Sequence, residues 1–201
     1  MSTAQTRPPL YGLLLSGGAS RRMQQDKAAL AYLGEPQLLR AWRLLGQVTE
    51  RSFLSVRAEQ REDPLRAPLP QIVDSYDAIG PAAGILSAQG SYPEVAWLVL
   101  ACDLPLLDAA TLRQLVDGRD PQADACAFTS RHDGLPEPLC AIWEPSSNAL
   151  LEQRYLAGSY CPRKALMQSR TVLLPAPGAA LDNANTPEER AQLQQVLESM
   201  A

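Results

Sequence analysis

Short apolar runs alternate with segments of helical spacing along most of the chain. Residues 10–16 (Leu-Tyr-Gly-Leu-Leu-Leu-Ser) read as a short apolar strand of the kind buried in a parallel sheet. Gly17 to Asp26 then breaks the pattern as a glycine-containing loop. From Pro36 to Glu50, Leu38, Trp42 and Leu45 recur at helical spacing, which predicts an amphipathic helix. Ser52–Val56 predicts a second strand. Arg57–Pro70 is polar and proline-rich and predicts a loop, and Gln71–Asp74 a short third strand. Pro81–Gln89 predicts a helix behind the Gly80-Pro81 turn. Val95–Ala101 is the strongest strand pattern in the chain.

Asp108 is placed to cap a helix running to about Val116. Ala123–Thr129 and Pro138–Trp143 predict two strands around the turn dipeptide Asp133-Gly134. Ser146 opens a further helix, and Arg163 and Lys164 a short one. At the C-terminal end, Thr186, Pro187 and Glu189 form a capping-box pattern ahead of a last amphipathic helix. Strands alternating with helices imply a single α/β domain of three layers, Rossmann-like, with a mostly parallel central sheet over residues 10–201. Residues 1–9 read as a flexible N-terminal segment.

Composition narrows the function classes. The chain has 201 residues, with 18 Lys and Arg against 22 Asp and Glu, a formal net charge of −4. That balance argues against a general nucleic-acid binder. No apolar run is long enough for a membrane helix, and the first nine residues carry no signal-peptide pattern. The single histidine, His132, excludes a multi-histidine metal site and reads as an exposed loop residue. Cys102, Cys126, Cys140 and Cys161 form no C-x-x-C pair and read as reduced thiols, Cys161 being the one that could be exposed. Together these features predict a cytoplasmic protein. Trp42, Trp97 and Trp143 fall on apolar patterns and read as core.

Three strand ends carry candidate chemistry. The first is Leu15-Ser16-Gly17-Gly18, followed by Ser20, Arg21, Arg22 and Lys27. Glycines admit close backbone approach to a ligand, and backbone amides with cations hold phosphates. The plainer alternative is a tight turn with solvated basic residues. The second is Asp103, where the strongest strand stops. A carboxylate there suits Mg²⁺, which takes one or two carboxylates plus substrate phosphates; alternatively Asp103 caps the following turn. The third is Asp74, ahead of Gly80-Pro81-Ala82-Ala83-Gly84, with turn chemistry again the alternative. In a parallel sheet these ends would share one rim.

The order G-G-x-S-x-R-M-x-x-D-K, a strand-end Asp, G-P-x-A-G, a strand ending C-D-x-P and N-x-N-T-P-E-E is carried by Gly17, Gly18, Lys27, Asp74, Gly80–Gly84, Cys102–Pro105 and Asn183–Glu189. In that order the chain resembles the MobA family of molybdenum cofactor guanylyltransferases, within the wider glycosyltransferase-A-like nucleotidyltransferases. The likeness runs from Leu13 to the last helix.

The resemblance implies transfer of GMP from GTP to molybdopterin with release of pyrophosphate. It implies nucleotide contacts from Leu15, Ser16, Gly17, Gly18 and Asp74, and from Arg57 after the second strand. It places Lys27 and Arg21 on the phosphates, Asp103 on Mg²⁺, and Asn183 and Asn185 on the pterin side. Partners implied are GTP, molybdopterin, a protein that delivers molybdopterin and a recipient molybdoenzyme, with the chain a monomer or weak homo-oligomer. Two positions depart from the family pattern. Gln24 stands where a glycine usually follows Arg-Met, and Glu137-Pro138 where some relatives have His-Pro. Competing readings are a cytidylyltransferase on the same acceptor, a sugar-phosphate nucleotidyltransferase and a non-catalytic nucleotide-binding module.

Overall fold

The computed structural model describes residues 7–16, 27–120, 122–183 and 187–200. Nine strands are β1 (Leu10–Leu15), β2 (Ala31–Tyr32), β3 (Glu35–Pro36), β4 (Arg51–Val56), β5 (Gln71–Val73), β6 (Ala96–Ala101), β7 (Ala125–Thr129), β8 (Pro136–Trp143) and β9 (Thr171–Leu174). Six α-helices are α1 (Gln37–Leu45), α2 (Pro81–Ser91), α3 (Ala109–Asp117), α4 (Asn148–Leu156), α5 (Pro162–Gln168) and α6 (Pro187–Met200). Seven strands form one sheet in the order β5-β4-β1-β6-β8-β7-β9, and β2 pairs with β3 in a separate hairpin. Only β8 runs against the others: it is antiparallel to both β6 and β7, while β9 is parallel to β7.

The strand patterns follow from burial on both faces. Along β6, Ala96, Leu98 and Leu100 pack into one core cluster with α1 and α3 residues such as Leu38, Leu45, Leu112 and Leu115. Trp97 and Val99 point to the other cluster, with Ile85 and Leu86 of α2, Leu151 of α4 and Leu166 of α5. Period-2 alternation between two apolar layers gives a continuous apolar run.

The chain steps outward from β1 through α1 to β4 and on to β5. It then returns through α2 to β6, on the other side of β1. Right-handed crossovers that reverse direction place their helices on opposite faces, which explains α1 and α2 in different layers. The reversal leaves a switch point at the carboxyl ends of β1 and β6.

Several local expectations are corrected. The first helix ends at Leu45, with Gly46 as its C-cap, rather than reaching Glu50. Thr49 leaves the helix to bond the Leu45 carbonyl and the Ser52 hydroxyl. Ser146 lies within the 3-10 turn Pro145–Ser147 that precedes α4. Trp97 and Trp143 are fully buried, whereas Trp42 only packs partly against the core. Asp108 caps α3 as expected, its Oδ1 accepting from Thr111 N at 2.7 Å. Thr186 of the C-terminal capping box lies outside the described residues.

Two elements carry no clear sequence signal. The β2–β3 hairpin turns through Leu33 (φ 50°) and Gly34 (φ 81°), a pair of left-handed residues without the usual Asn-Gly or Asp-Gly. Its Leu30 and Tyr32 pack with Leu197 of α6 and Leu106. β9 is four residues of edge strand beside β7. Asp124 and Arg170 join the starts of those two strands. The bonds from Arg170 and Ser146 hold the Asp124 carboxyl down to about 2.

Cys102, Cys126 and Cys140 are buried and Cys161 is exposed. Burial pushes the Cys126 thiol up to about 11 and the Cys140 thiol up to about 12, so both stay protonated at neutral pH. Among the described residues, no helix is long and apolar enough to cross a membrane.

At the opposite end of the sheet from the switch point, Arg119 and Glu144 form an ion pair, both nearly inaccessible. Arg119 Nη2 also donates to Glu144 Oε2 at 3.0 Å and to the Pro8 carbonyl at 2.8 Å. Removing one partner leaves the other charge buried without compensation. Arg119→Ala should therefore lower unfolding free energy by about 3–5 kcal/mol in urea titration.

Candidate active site

β1 pairs with β4 through Leu15↔Ser55 and with β6 through Leu15↔Ala101, while β4 pairs with β5 through Val56↔Val73. All four strands are parallel, so their carboxyl ends come level on one rim. Across that rim lie Asp74 after β5, Arg57 after β4, Ser16 after β1 and Asp103 two residues beyond β6. The ends of β1, β5 and β6 share one rim, as the parallel sheet implies. Gly17, Gly18, Ser20, Arg21, Arg22, Gln24 and Asp26 lie outside the described residues, as do Asn185 and the side chain of Lys27.

A hydrogen-bonded chain crosses three of these strand ends. Ser16 is buried, and its Oγ donates to the Ser55 carbonyl at 2.9 Å. Ser55 Oγ donates to Asp74 Oδ1 at 2.7 Å, and the Asp74 amide donates to the Val56 carbonyl at 2.8 Å. Burial pushes the Asp74 carboxyl above its ordinary range, partly opposed by the Ser55 bond and the nearby Arg57 charge. Arg57 is half-exposed and pairs with Glu59 at 2.9 Å.

Gly84 makes this arrangement possible. A Cβ there would lie 2.4 Å from Ser55 Oγ and 2.8 Å from Leu15 Cδ2, so α2 approaches β1 and β4 only because the residue is glycine. Gly80, with φ 64°, caps α2 in a conformation that other residues rarely adopt. The G-P-x-A-G signal thus sets both the entry and the depth of α2.

Asp103 sits half-buried in the turn that follows β6. That turn is anchored twice: Cys102 N donates to the Leu15 carbonyl at 3.3 Å, and Arg40 Nη2 of α1 donates to the Leu107 carbonyl at 2.8 Å. Among the described residues, no three His, Cys, Asp or Glu side chains gather as a ready-made metal cage. One hard oxygen donor beside the switch point still fits Mg²⁺, which completes its coordination with substrate phosphates and water.

β7 is parallel to β6, so its end opens on the same rim. There Arg131 clasps Asp182, its Nε 2.8 Å from Oδ1 and its Nη2 2.5 Å from Oδ2. The exposed His132 adds a 3.3 Å contact to the same carboxylate. This clasp fastens the segment carrying Asn183 to the β7–β8 connection. Arg163 bridges Asp133 at 2.8 Å and Glu137 at 3.3 Å, so Glu137 is engaged in an ion pair.

One residue escaped sequence reasoning. Within Arg57–Pro70, expected as a plain polar loop, the chain forms the 3-10 turn Ala58–Gln60 and tight turns, and it buries Arg66 to 1% exposure. Arg66 Nε donates to Ser16 Oγ at 3.3 Å, its Nη2 to the Ser16 carbonyl at 3.3 Å, and its Nη1 lies 3.0 Å from Asp63 Oδ1. The available signal was an Asp-x-x-Arg spacing inside a proline-rich run, too common to stand out.

Residues 12–172 match the family described as MobA-like NTP transferase domain. The chain belongs to that family. It is 33% identical to the molybdenum cofactor guanylyltransferase of Pseudomonas fluorescens SBW25, over 90% of this chain and 91% of that one. It is 36% identical to a molybdenum cofactor biosynthesis bifunctional protein of Synechocystis over 94% of its own length, and spans 54% of that longer protein. In fold it is similar to molybdopterin-guanine dinucleotide biosynthesis protein A of Archaeoglobus fulgidus, with a TM-score of 0.79 at 22% identity, covering 94% of this chain and all of that one. A similar likeness extends to the 4-diphosphocytidyl-2C-methyl-D-erythritol synthase of Anaerococcus prevotii, with a TM-score of 0.73 at 10% identity over 95% and 96% of the two chains.

Gly84→Ala should cost about 1–3 kcal/mol of stability, because the new methyl must displace Ser55 or Leu15. Ser55→Ala removes a bond that favours ionised Asp74, so the Asp74 pKa should rise further. The acid limb of nucleotide binding should then move to higher pH, measured by titrating affinity against pH. An unmoved limb would show that Asp74 ionisation does not govern binding.

Proposed function

We propose that the protein transfers GMP from GTP to the phosphate of molybdopterin, releasing pyrophosphate and forming the guanine dinucleotide cofactor. The observation that carries this reading is that Ser16, Arg57, Asp74 and Asp103 follow the level carboxyl ends of four neighbouring parallel strands, with Ser16 and Asp74 linked through Ser55. It is supported by relatives named molybdenum cofactor guanylyltransferase that match over most of the chain.

In this reaction a phosphate oxygen of the acceptor attacks the α-phosphorus of GTP in line. The new O–P bond forms as the bond to the β-phosphate oxygen breaks, and pyrophosphate leaves with that electron pair. The nucleophile is already an anion, so no strong base is needed, and a chain with one exposed histidine can serve. Catalysis then rests on positioning and charge stabilisation.

Leu15, Ser16, Gly17 and Gly18 would face the guanine nucleotide, with Asp74 and Arg57 completing its seat. Lys27 and Arg21 would donate to the phosphates. Asp103 would hold Mg²⁺, which supplies charge neutralisation to the phosphate oxygens when bound. Asn183, fastened through the Arg131–Asp182 clasp, and Asn185 would contact the pterin. GTP and molybdopterin are thus the small-molecule partners. A protein delivering molybdopterin and a recipient molybdoenzyme would be the macromolecular ones, in the cytoplasm, with the chain a monomer or weak homo-oligomer.

The test offers GTP, CTP, ATP and UTP separately to the purified protein with Mg²⁺ and molybdopterin, and reads pyrophosphate release. GTP should be preferred; a preference for CTP would point to cytidylyl transfer, and binding without pyrophosphate release to a non-catalytic module. Asp103→Ala should reduce turnover by about 100-fold or more. Full activity in that variant would remove Asp103 from the metal's coordination.

A further inference from the structure

We infer that Arg66 is a positioning residue for the nucleotide: its buried guanidinium sets the orientation of the Ser16 peptide unit and hydroxyl at the end of β1. The inference rests on the nucleotidyl-transfer function proposed above.

Three nitrogens of one rigid, planar group are engaged. Nε reaches Ser16 Oγ, Nη2 reaches the Ser16 carbonyl and Nη1 meets Asp63. Asp63 in turn accepts from the Leu65 amide at 3.1 Å, and the Arg66 amide donates to the Asp63 carbonyl at 2.9 Å. The Arg66 carbonyl accepts from Gln71 Nε2 of β5 at 2.9 Å. The guanidinium is therefore held from its own side before it touches Ser16.

A planar trans peptide turns its N–H opposite to its C=O. Holding the Ser16 carbonyl fixes the plane of the unit by which the chain leaves the sheet. Holding Ser16 Oγ from one side, while that hydroxyl donates to the Ser55 carbonyl, ties the same point to β4. Ser55 carries the link on to Asp74. One guanidinium thus couples the ends of β1, β4 and β5.

A burial this complete needs a reason beyond packing. A charged group is costly to remove from water unless it is paired and hydrogen-bonded. An apolar side chain would fill the space without that cost. What it would lack is a fork of donors aimed at a backbone carbonyl and a hydroxyl at the site.

Arg66 does not touch the reacting phosphorus, so its loss should weaken nucleotide binding in ground state and transition state alike. That pattern raises KM and spares kcat. Arg66→Lys separates this role from simple charge or bulk, because an ammonium keeps the charge but lacks the planar fork.

The experiment compares wild type, Arg66→Lys and Asp63→Asn in melting temperature, in KM and kcat for GTP, and in equilibrium binding of GDP. Arg66→Lys is expected to fold, to raise KM for GTP and weaken GDP binding by about tenfold, and to change kcat by less than about threefold. A folded Arg66→Lys with KM and GDP affinity within about twofold of wild type overturns the inference.

Should Arg66→Lys not fold, Asp63→Asn decides. Asp63 is part-exposed, and Asn keeps an acceptor oxygen for the guanidinium while removing the ion pair, so the variant loosens Arg66 with less disturbance than truncation. A rise in KM of about threefold supports positioning, and an unchanged KM overturns it. If wild type neither binds nor turns over GTP, the function itself fails, and the inference fails with it. Normal wild-type turnover with indifferent variants condemns the role of Arg66 alone.

Discussion

β1 hydrogen-bonds in parallel to β4 on one side and to β6 on the other, while the chain reverses its direction of travel between β5 and β6. Parallel pairing brings strand ends level, and the reversal separates the loops that leave β1 and β6. A crevice at this point is a geometric consequence of topology rather than of any one side chain. The residues just beyond four strands inherit their nearness from that arrangement. Leu10, Leu13, Leu14 and Leu15 of β1 and Ala96 to Leu100 of β6, packed between two helical layers, hold the pairing in place.

Polar groups refine what the sheet places. Ser16, Ser55 and Asp74 form a relay of short hydrogen bonds across three strands, and Arg66 closes it from beneath. Gly84 allows α2 to lie against the relay, and Arg40 steadies the turn that bears Asp103. The charge balance gains meaning here. A net charge of −4 accompanies proposed substrates that are both anions, so recognition depends on local charge. The acidic residues of the rim either accept hydrogen bonds, as Asp74 does, or are suited to a cation, as Asp103 is. Arg57 lies near enough to Asp74 to oppose part of the effect of its burial.

The sheet was legible in the sequence because its central strands are buried on both faces and so read as unbroken apolar runs. Val95–Ala101 needs no context to be a strand. β9 was not legible: Thr-Val-Leu-Leu is short, lies on an edge and is only partly buried, so its pairing with β7 decides its state. The β2–β3 hairpin was hidden for a different reason. Its turn uses Leu33 at positive φ, a conformation held by tertiary contacts of Leu30 and Tyr32 with Leu197 rather than by turn chemistry. At the site, Asp74 and Asp103 were legible as charged residues interrupting apolar strands. Arg66 was not, because nothing local distinguishes an arginine that folds inward from the solvated ones around it.

The central claim is that four strand ends form one nucleotide seat at the switch point. Backbone amide chemical shifts, recorded with and without GTP and Mg²⁺, test it most directly. The account predicts that the largest changes cluster at Ser16, Ser55–Arg57, Asp74 and Cys102–Asp103. Changes confined to the opposite end of the sheet, around Arg119 and Glu144, would contradict it.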